Sequence, residues 1–316
     1  MSKQIVLAEE MGYCWGVRRA LDIITKAGST AAPVATVGDV IHNPQIVERL
    51  RSHGVDTAET VAEAETRGFQ RVAITAHGAG PERAADASAR GLELIDTTCP
   101  LVTKVQRLAQ KLVRQGYYLV VYGDAPHPEV RGVIAWAGTS RAVAAKHIEQ
   151  LPWTAARGQG EPSQVPPRKV AVVSQTTKNV DEFLTFIGEL TPLVARDGGE
   201  LRVCNTICEP TTERQNALRR LAAEVDAIVV IGGKKSSNTA RLAEVGRSLG
   251  VPSYHVERPE EVDPAWLEDV ERVGVTAGAS TPDDVILELV HHLETLGFDA
   301  PEEELAVRDL NATPAF

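Results

Sequence analysis

Short apolar runs rich in β-branched residues alternate with stretches of helical period along nearly the whole chain. Residues 5–7, 72–74, 92–95, 117–122, 170–173, 228–231 and 273–275 are apolar without the polar alternation of a half-solvated strand, which predicts strands buried on both faces. Helical periodicity over 16–27, 100–115, 211–225 and 239–249 separates some of them. The pattern is that of an α/β fold with mostly parallel sheet. Residues 154–168, TAARGQGEPSQVPPR, carry no periodicity and predict an exposed loop, and the acidic stretch 297–316 predicts a loosely held tail.

Composition narrows the class. The 316 residues are 43% hydrophobic and 24% charged, ordinary for a globular protein, and no apolar run nears the roughly eighteen residues that span a bilayer. With 33 Lys and Arg against 43 Asp and Glu the net charge is −10, so no global positive field attracts nucleic acid or an anionic membrane. Any anion must be held by a local site. The start, MSKQIVLAEEM, lacks the basic and apolar regions of an export signal, which makes the cytoplasm the expected compartment.

The four cysteines form no CxxC pair, which argues against a disulfide framework or a zinc ribbon. Cys14, Cys99 and Cys208 share one context, each following an apolar run or turn and preceding a helical stretch, 85 and 109 residues apart. That spacing predicts three units: 14–99 with Cys14 and Cys99 at its ends, 100–205, and 206–296 with strand 1–13 packing on it. A thiol at a helix start meets unpaired N–H groups and the positive end of the dipole, which favours thiolate. Three such thiols either form a soft tripod for zinc, copper(I) or an iron–sulfur cluster, or are small buried hydrophobes. Cys204, closing the apolar run 201–204, reads as a core thiol.

Polar clusters fall where strands should end: His42-Asn43, His77-Gly78, His127-Pro128-Glu129, Gln175-Thr176-Thr177, Ser236-Ser237-Asn238 and Ser280-Thr281. In α/β proteins ligands bind at the carboxyl ends of strands. GGKKSSN, between a strand and a helix, predicts donors facing a phosphate at a helix N-terminus, with a plain N-cap as the alternative. It is not a Walker loop, and HGAGPE lacks the third glycine of a dinucleotide fingerprint. Glu129 suits proton donation if burial and anionic neighbours raise its pKa; an exposed loop carboxylate is the alternative.

Together these residues resemble the 4-hydroxy-3-methylbut-2-enyl diphosphate reductase family, iron–sulfur enzymes of the methylerythritol phosphate route to isoprenoids. GYCWGVRRALDI, GDVIHNPQIVERL, ITAHGAG, DTTCPLVTKV, APHPEVRG, SQTTKNVDEF, ICEPTTERQNAL, GGKKSSNTARLAEV and VGVTAGASTPDD carry the likeness across residues 12–284, in the family's order. The resemblance implies three pseudo-symmetric α/β units around a central cavity holding a [4Fe–4S] cluster on Cys14, Cys99 and Cys208. It implies that His42, His77, His127, Ser236, Ser237, Asn238 and Ser280 hold the diphosphate. His127, Glu129 and Thr176 are then the catalytic set, with Glu129 supplying the proton and Thr176 orienting the substrate hydroxyl. The implied reaction is reductive dehydroxylation to isopentenyl and dimethylallyl diphosphate, with electrons from a donor such as ferredoxin or flavodoxin. The residues alone also permit a zinc hydrolase of a phosphorylated substrate or a non-catalytic phospholigand-binding protein. Trp15, Cys204 and the 154–168 loop depart from the family's hallmarks.

Overall fold

The computed structural model describes residues 3–30, 32–154, 167–196 and 198–299, so most of the 154–168 loop and the tail from residue 300 lie outside the described residues. Strand and helix alternate throughout: β1 (Lys3–Leu7), α1 (Trp15–Gly28), β2 (Val34–Val37), α2 (Pro44–Ser52), β3 (Val55–Ala58), α3 (Val61–Thr66), β4 (Arg71–Ile74), α4 (Pro81–Ala89), β5 (Glu93–Asp96) and α5 (Pro100–Arg114). There follow β6 (Tyr118–Tyr122), α6 (Pro128–Ala137), β7 (Ala142–Ala145), β8 (Lys169–Ser174), α7 (Val180–Ala195), β9 (Glu200–Cys204) and α8 (Glu209–Ala222). The chain closes with β10 (Ala227–Ile231), α9 (Ser237–Ser248), β11 (Ser253–Val256), β12 (Arg272–Ala277), α10 (Asp283–Thr295) and β13 (Phe298–Asp299). The strands form three sheets in the orders β11-β10-β12-β1-β13, β3-β2-β4-β5 and β7-β6-β8-β9.

The chain packs as two compact units, one of residues 1–57 with those from 209 onward, the other of residues 58–208. In the first, β1, β10, β11, β12 and β13 pair in parallel. One face of this sheet packs Ile5, Val229, Ile231, Val273 and Val275 against Val285, Ile286, Leu289 and Leu293 of α10. On the other, Ile228 and Val230 meet Leu218 and Leu221 of α8 and Leu242 and Val245 of α9. Burial on both faces is why β10, AIVVI, shows no polar alternation, and each such side chain contributes about 1.5–3 kcal/mol.

The second unit repeats the scheme. Val120, Tyr122, Val170 and Val172 face Phe183, Phe186 and Leu190 of α7, while Leu119, Val121, Ala171 and Val173 face Val105 and Leu112 of α5 and Val130 and Val133 of α6. Two expectations are corrected here. The 92–95 run is not a buried strand: β5 ends its sheet, and its residues are exposed or half-buried. Cys204 lies on the edge strand β9 and is half-buried against the α5–α6 side of the core rather than enclosed. An edge strand has neighbours on one side only, so an apolar run there need not be covered.

Every candidate residue follows the carboxyl end of a strand. Cys14 comes after β1, His42 after β2, His77 after β4, Cys99 after β5, His127 and Glu129 after β6, and Thr176 after β8. Cys208 follows β9, Ser236 to Asn238 follow β10, and Ser280 follows β12.

Candidate functional site

In the first unit, three turns are tied to one another. Cys14 is the N-cap of α1, with no side-chain cap bond, and its N–H donates to the Ala279 carbonyl at 3.2 Å, beside Ser280. Asn43 caps α2 by accepting from the Ile46 N–H at 3.2 Å, and its Nδ2 donates to the Ser280 carbonyl at 3.0 Å. His42 is thereby fixed next to the same loop. Gly233 completes the junction: a Cβ there would lie 2.2 Å from the His42 carbonyl oxygen, so only glycine lets the loop before α9 approach so closely.

That loop ends in Ser236, the N-cap of α9, whose Oγ accepts from the Thr239 N–H at 3.3 Å. Ser237 and Asn238 open the helix, where backbone N–H groups lack intrahelical partners. Asn238 is buried with neither amide atom hydrogen-bonded, and the buried Ser280 Oγ also lacks a partner. Each such group costs roughly 1–3 kcal/mol to leave unsatisfied, so their presence points to a polar ligand that fills the gap. Burial pushes His42 below its ordinary pKa against the pull of Asp39, with Lys235 adding to the depression.

The second unit gathers the remaining residues. Cys99 is the N-cap of α5, and its N–H donates to the Ala76 carbonyl at 3.0 Å, one residue before His77. The turn after His77 is pinned through the Ala79 carbonyl, which accepts from Trp136 Nε1 at 2.9 Å. The His77 and His127 rings meet edge to face, with centroids 5.3 Å apart. His127 caps α6, and its Nδ1 accepts from the Glu129 N–H at 3.2 Å, which assigns the ring proton of the neutral tautomer to Nε2.

Among the described residues Glu129 is the most perturbed carboxylate. It occupies the first turn of α6, 2% exposed, rather than an open loop. Its Oε1 accepts from the Thr176 N–H at 2.7 Å and its Oε2 from the Thr176 hydroxyl at 2.9 Å. Burial raises its pKa to about 7, although both Thr176 bonds and the charge of Lys178 favour the anion. The Thr176 carbonyl accepts from the Cys208 N–H at 2.9 Å, which ties the Cys208 backbone to the residue that holds the acid. Thr206 secures that stretch, accepting from the Ser174 N–H at 2.7 Å.

Each unit thus assembles a half-set: Cys14, His42, Ser236, Ser237, Asn238 and Ser280 in one; His77, Cys99, His127, Glu129, Thr176 and Cys208 in the other. Sequence reasoning missed Lys178, which is 1% exposed and paired with Asp124. Burial favours the neutral form of Asp124, but Lys146 and Lys178 hold its pKa at about 2. It also missed Arg214 on α8, buried and bonded to the Gly12 carbonyl. Trp15, the odd residue after the first thiol, is 48% exposed at the start of α1.

The donor set suits a soft metal centre. All four cysteines are half-buried thiols, none in a disulfide. Cys14 and Cys99 are N-caps without a side-chain cap bond, and Cys208 immediately precedes α8, so all three stand at the positive ends of helix dipoles, where a negatively charged centre is favoured. Three thiolates match an iron–sulfur cluster with one iron lacking a protein ligand, and they match a three-coordinate zinc site equally in number.

The LytB protein family model matches residues 5–294. The 4-hydroxy-3-methylbut-2-enyl diphosphate reductase of Anaeromyxobacter sp. (strain K) is 43% identical over 283 residues, 89% of this chain and 95% of that protein. The enzyme of the same name from Geobacter sp. (strain M21) is 40% identical over 298 residues, 94% and 99% of the two chains. Among solved structures, (E)-4-hydroxy-3-methyl-but-2-enyl diphosphate reductase, the terminal enzyme of the non-mevalonate pathway, aligns with a TM-score of 0.64 at 35% identity over 93% of this chain and 99% of that one. The Plasmodium falciparum E-1-hydroxy-2-methyl-but-2-enyl-4-diphosphate reductase shares the fold, with a TM-score of 0.83 at 23% identity over 95% and 92% of the chains.

Proposed function

The chain belongs to the LytB protein family, and from that premise we propose that it is an oxidoreductase converting (E)-4-hydroxy-3-methylbut-2-enyl diphosphate to isopentenyl and dimethylallyl diphosphate. This is the last step of the methylerythritol phosphate pathway. The observation that carries the reading is the buried Glu129, held by the N–H and hydroxyl of Thr176 with a pKa of about 7, on the residue whose carbonyl accepts from the Cys208 N–H. A zinc hydrolase has less use for a carboxylic acid that keeps its proton near neutrality, since it needs a base to activate water.

Cys14, Cys99 and Cys208 are the proposed ligands of a [4Fe–4S] cluster. When bound, such a cluster supplies Lewis acidity toward the substrate's hydroxyl oxygen and electrons taken singly from a low-potential donor such as ferredoxin or flavodoxin. The chain's own residues do the rest. Ser236, Ser237, Asn238 and Ser280, with His42, His77 and His127, bind the diphosphate. The unpartnered Asn238 amide and Ser280 hydroxyl gain bonds in doing so, and the α9 N-terminus adds the positive end of its dipole. His127 presents an Nε2–H because its Nδ1 is engaged by the Glu129 backbone.

Protonated Glu129 donates to Thr176 Oγ, 2.9 Å away, as the Thr176 hydroxyl hydrogen passes to the departing oxygen. The C–O bond breaks with two electrons entering, and the oxygen leaves as water rather than hydroxide. A second proton reaches one end or the other of the allylic system, which gives the two products. Among the described residues no helix is long and apolar enough to cross a membrane, and we place the enzyme in the cytoplasm.

Anaerobic purification tests the assignment. The reading expects brown protein with about four iron and four sulfide per chain and reductive turnover of the diphosphate substrate. Colourless, zinc-loaded protein that hydrolyses the phosphate ester would overturn it.

A further inference from the structure

Arg214 is 3% exposed on α8. Its Nε and Nη2 donate to the Gly12 carbonyl at 3.2 and 2.7 Å, and its Nη1 donates to the Pro210 carbonyl at 2.9 Å. All three bonds end on backbone oxygens, and among the described residues no carboxylate forms an ion pair with it. A guanidinium taken out of water needs a counter-charge as well as hydrogen bonds. The described residues supply the bonds and no paired carboxylate.

The acceptors show where the missing charge belongs. Gly12 is two residues before Cys14, and Pro210 is two residues after Cys208. Two residues of backbone span about 7 Å at most, so the guanidinium, one hydrogen bond beyond, stands on the order of a Debye length from the cysteine backbones, in a buried setting where screening is weak. Three thiolates around a four-iron core of charge 2+ make a net monoanion, which becomes a dianion when one electron enters. A fixed cation nearby favours the dianion more than the monoanion.

We propose that Arg214 is the buried counter-cation of the thiolate-held cluster, a positioning residue that ties the Gly12 turn before Cys14 to the first turn of α8, which Cys208 precedes, and whose charge keeps the cluster reducible. The inference rests on the iron–sulfur reading above.

The test is the midpoint potential of the loaded protein, followed anaerobically by electron paramagnetic resonance, for the parent, Arg214→Gln and Arg214→Lys. The parent's spectrum and iron content check the underlying reading first; a parent that takes up no cluster overturns that reading, and this assignment with it. In a loaded parent, the glutamine variant should show a more negative midpoint, with the oxidised-to-reduced ratio at a fixed potential about tenfold higher, ~59 mV for a one-electron couple. The lysine variant keeps the charge but not the two-pronged bond, so its midpoint should stay near the parent's while iron is lost faster to a chelator. A glutamine variant with the parent's midpoint, or a lysine variant shifted as far as glutamine, overturns the assignment. If the glutamine variant does not fold or load, the lysine midpoint decides: parent-like supports the role, displaced refutes it.

Discussion

Glu129→Gln should make the protein more stable and nearly inactive at once. Glutamine is isosteric, and one orientation keeps both bonds, its oxygen accepting from the Thr176 N–H and its amide donating to the Thr176 hydroxyl oxygen. What disappears is the ionisation. The folded pKa of about 7 lies above the ordinary 4.5. Below pH 4.5 both folded and unfolded chains hold the proton, and the group contributes no pH dependence. Between 4.5 and 7 the unfolded chain releases it while the folded chain keeps it, so stability falls as pH rises and levels off above about 7. With 1.36 kcal/mol per pH unit, the burden on the parent at pH 8.5 is about 3 kcal/mol, and the variant escapes it. Urea unfolding of the metal-free chain under reducing conditions, at pH 5.5 and 8.5, measures the difference. Turnover should drop about 10²- to 10⁴-fold through loss of the acid, and the parent's rate should decline tenfold per pH unit above 7. A variant with the parent's pH-dependent midpoint in urea, or with the parent's turnover, would refute the reasoning.

Cys99→Ser should lose bound iron and activity, whereas Cys204→Ser, altering a half-buried thiol on an edge strand, should retain both; iron analysis after anaerobic reconstitution separates them. Asn238→Ala removes an amide that has no partner in the ligand-free chain, which relieves a penalty of roughly 1–3 kcal/mol, so stability should not fall while KM rises roughly tenfold. Lys178→Met removes a cation that lowers the Glu129 pKa, so the alkaline limb of the pH–rate profile should move upward. The same change should destabilise by roughly 1–3 kcal/mol, at the low end for a buried pair because Asp124 keeps Lys146 and is partly solvated. A limb that stays put would mean that Lys178 does not act on the acid.

The strands that were legible are those buried on both faces. β6, β8, β10 and β12 carry apolar runs because helices cover them on each side. The short strands β2 (VATV), β3 (VDTA), β7 (AVAA) and β11 (SYHV) left no such mark, three of them because they close a sheet and need little covering. Three cysteines at helix starts could be placed because strand, turn and helix onset are local. Their chemistry could not be chosen locally, and there only the resemblance of the ordered motifs to a family separated the alternatives. Glu129 stood between an exposed loop and a buried acid, since its enclosure depends on Thr176, 47 residues away. Lys178 was invisible because lysine is ordinarily solvated and its partner Asp124 is 54 residues distant. Arg214 bonds to main-chain oxygens, which carry no side-chain signature.

Thr176 serves two masters. Its amide and hydroxyl grip the acid, and its carbonyl grips the peptide of Cys208. Any drift of the Cys208 turn is therefore passed to the Glu129 carboxyl group through a single residue, so that the alignment of the two is inherited rather than separately tuned. Serine alone among the ordinary replacements would preserve all three attachments; valine, of nearly the same shape, would cut one and leave the acid's second oxygen stranded.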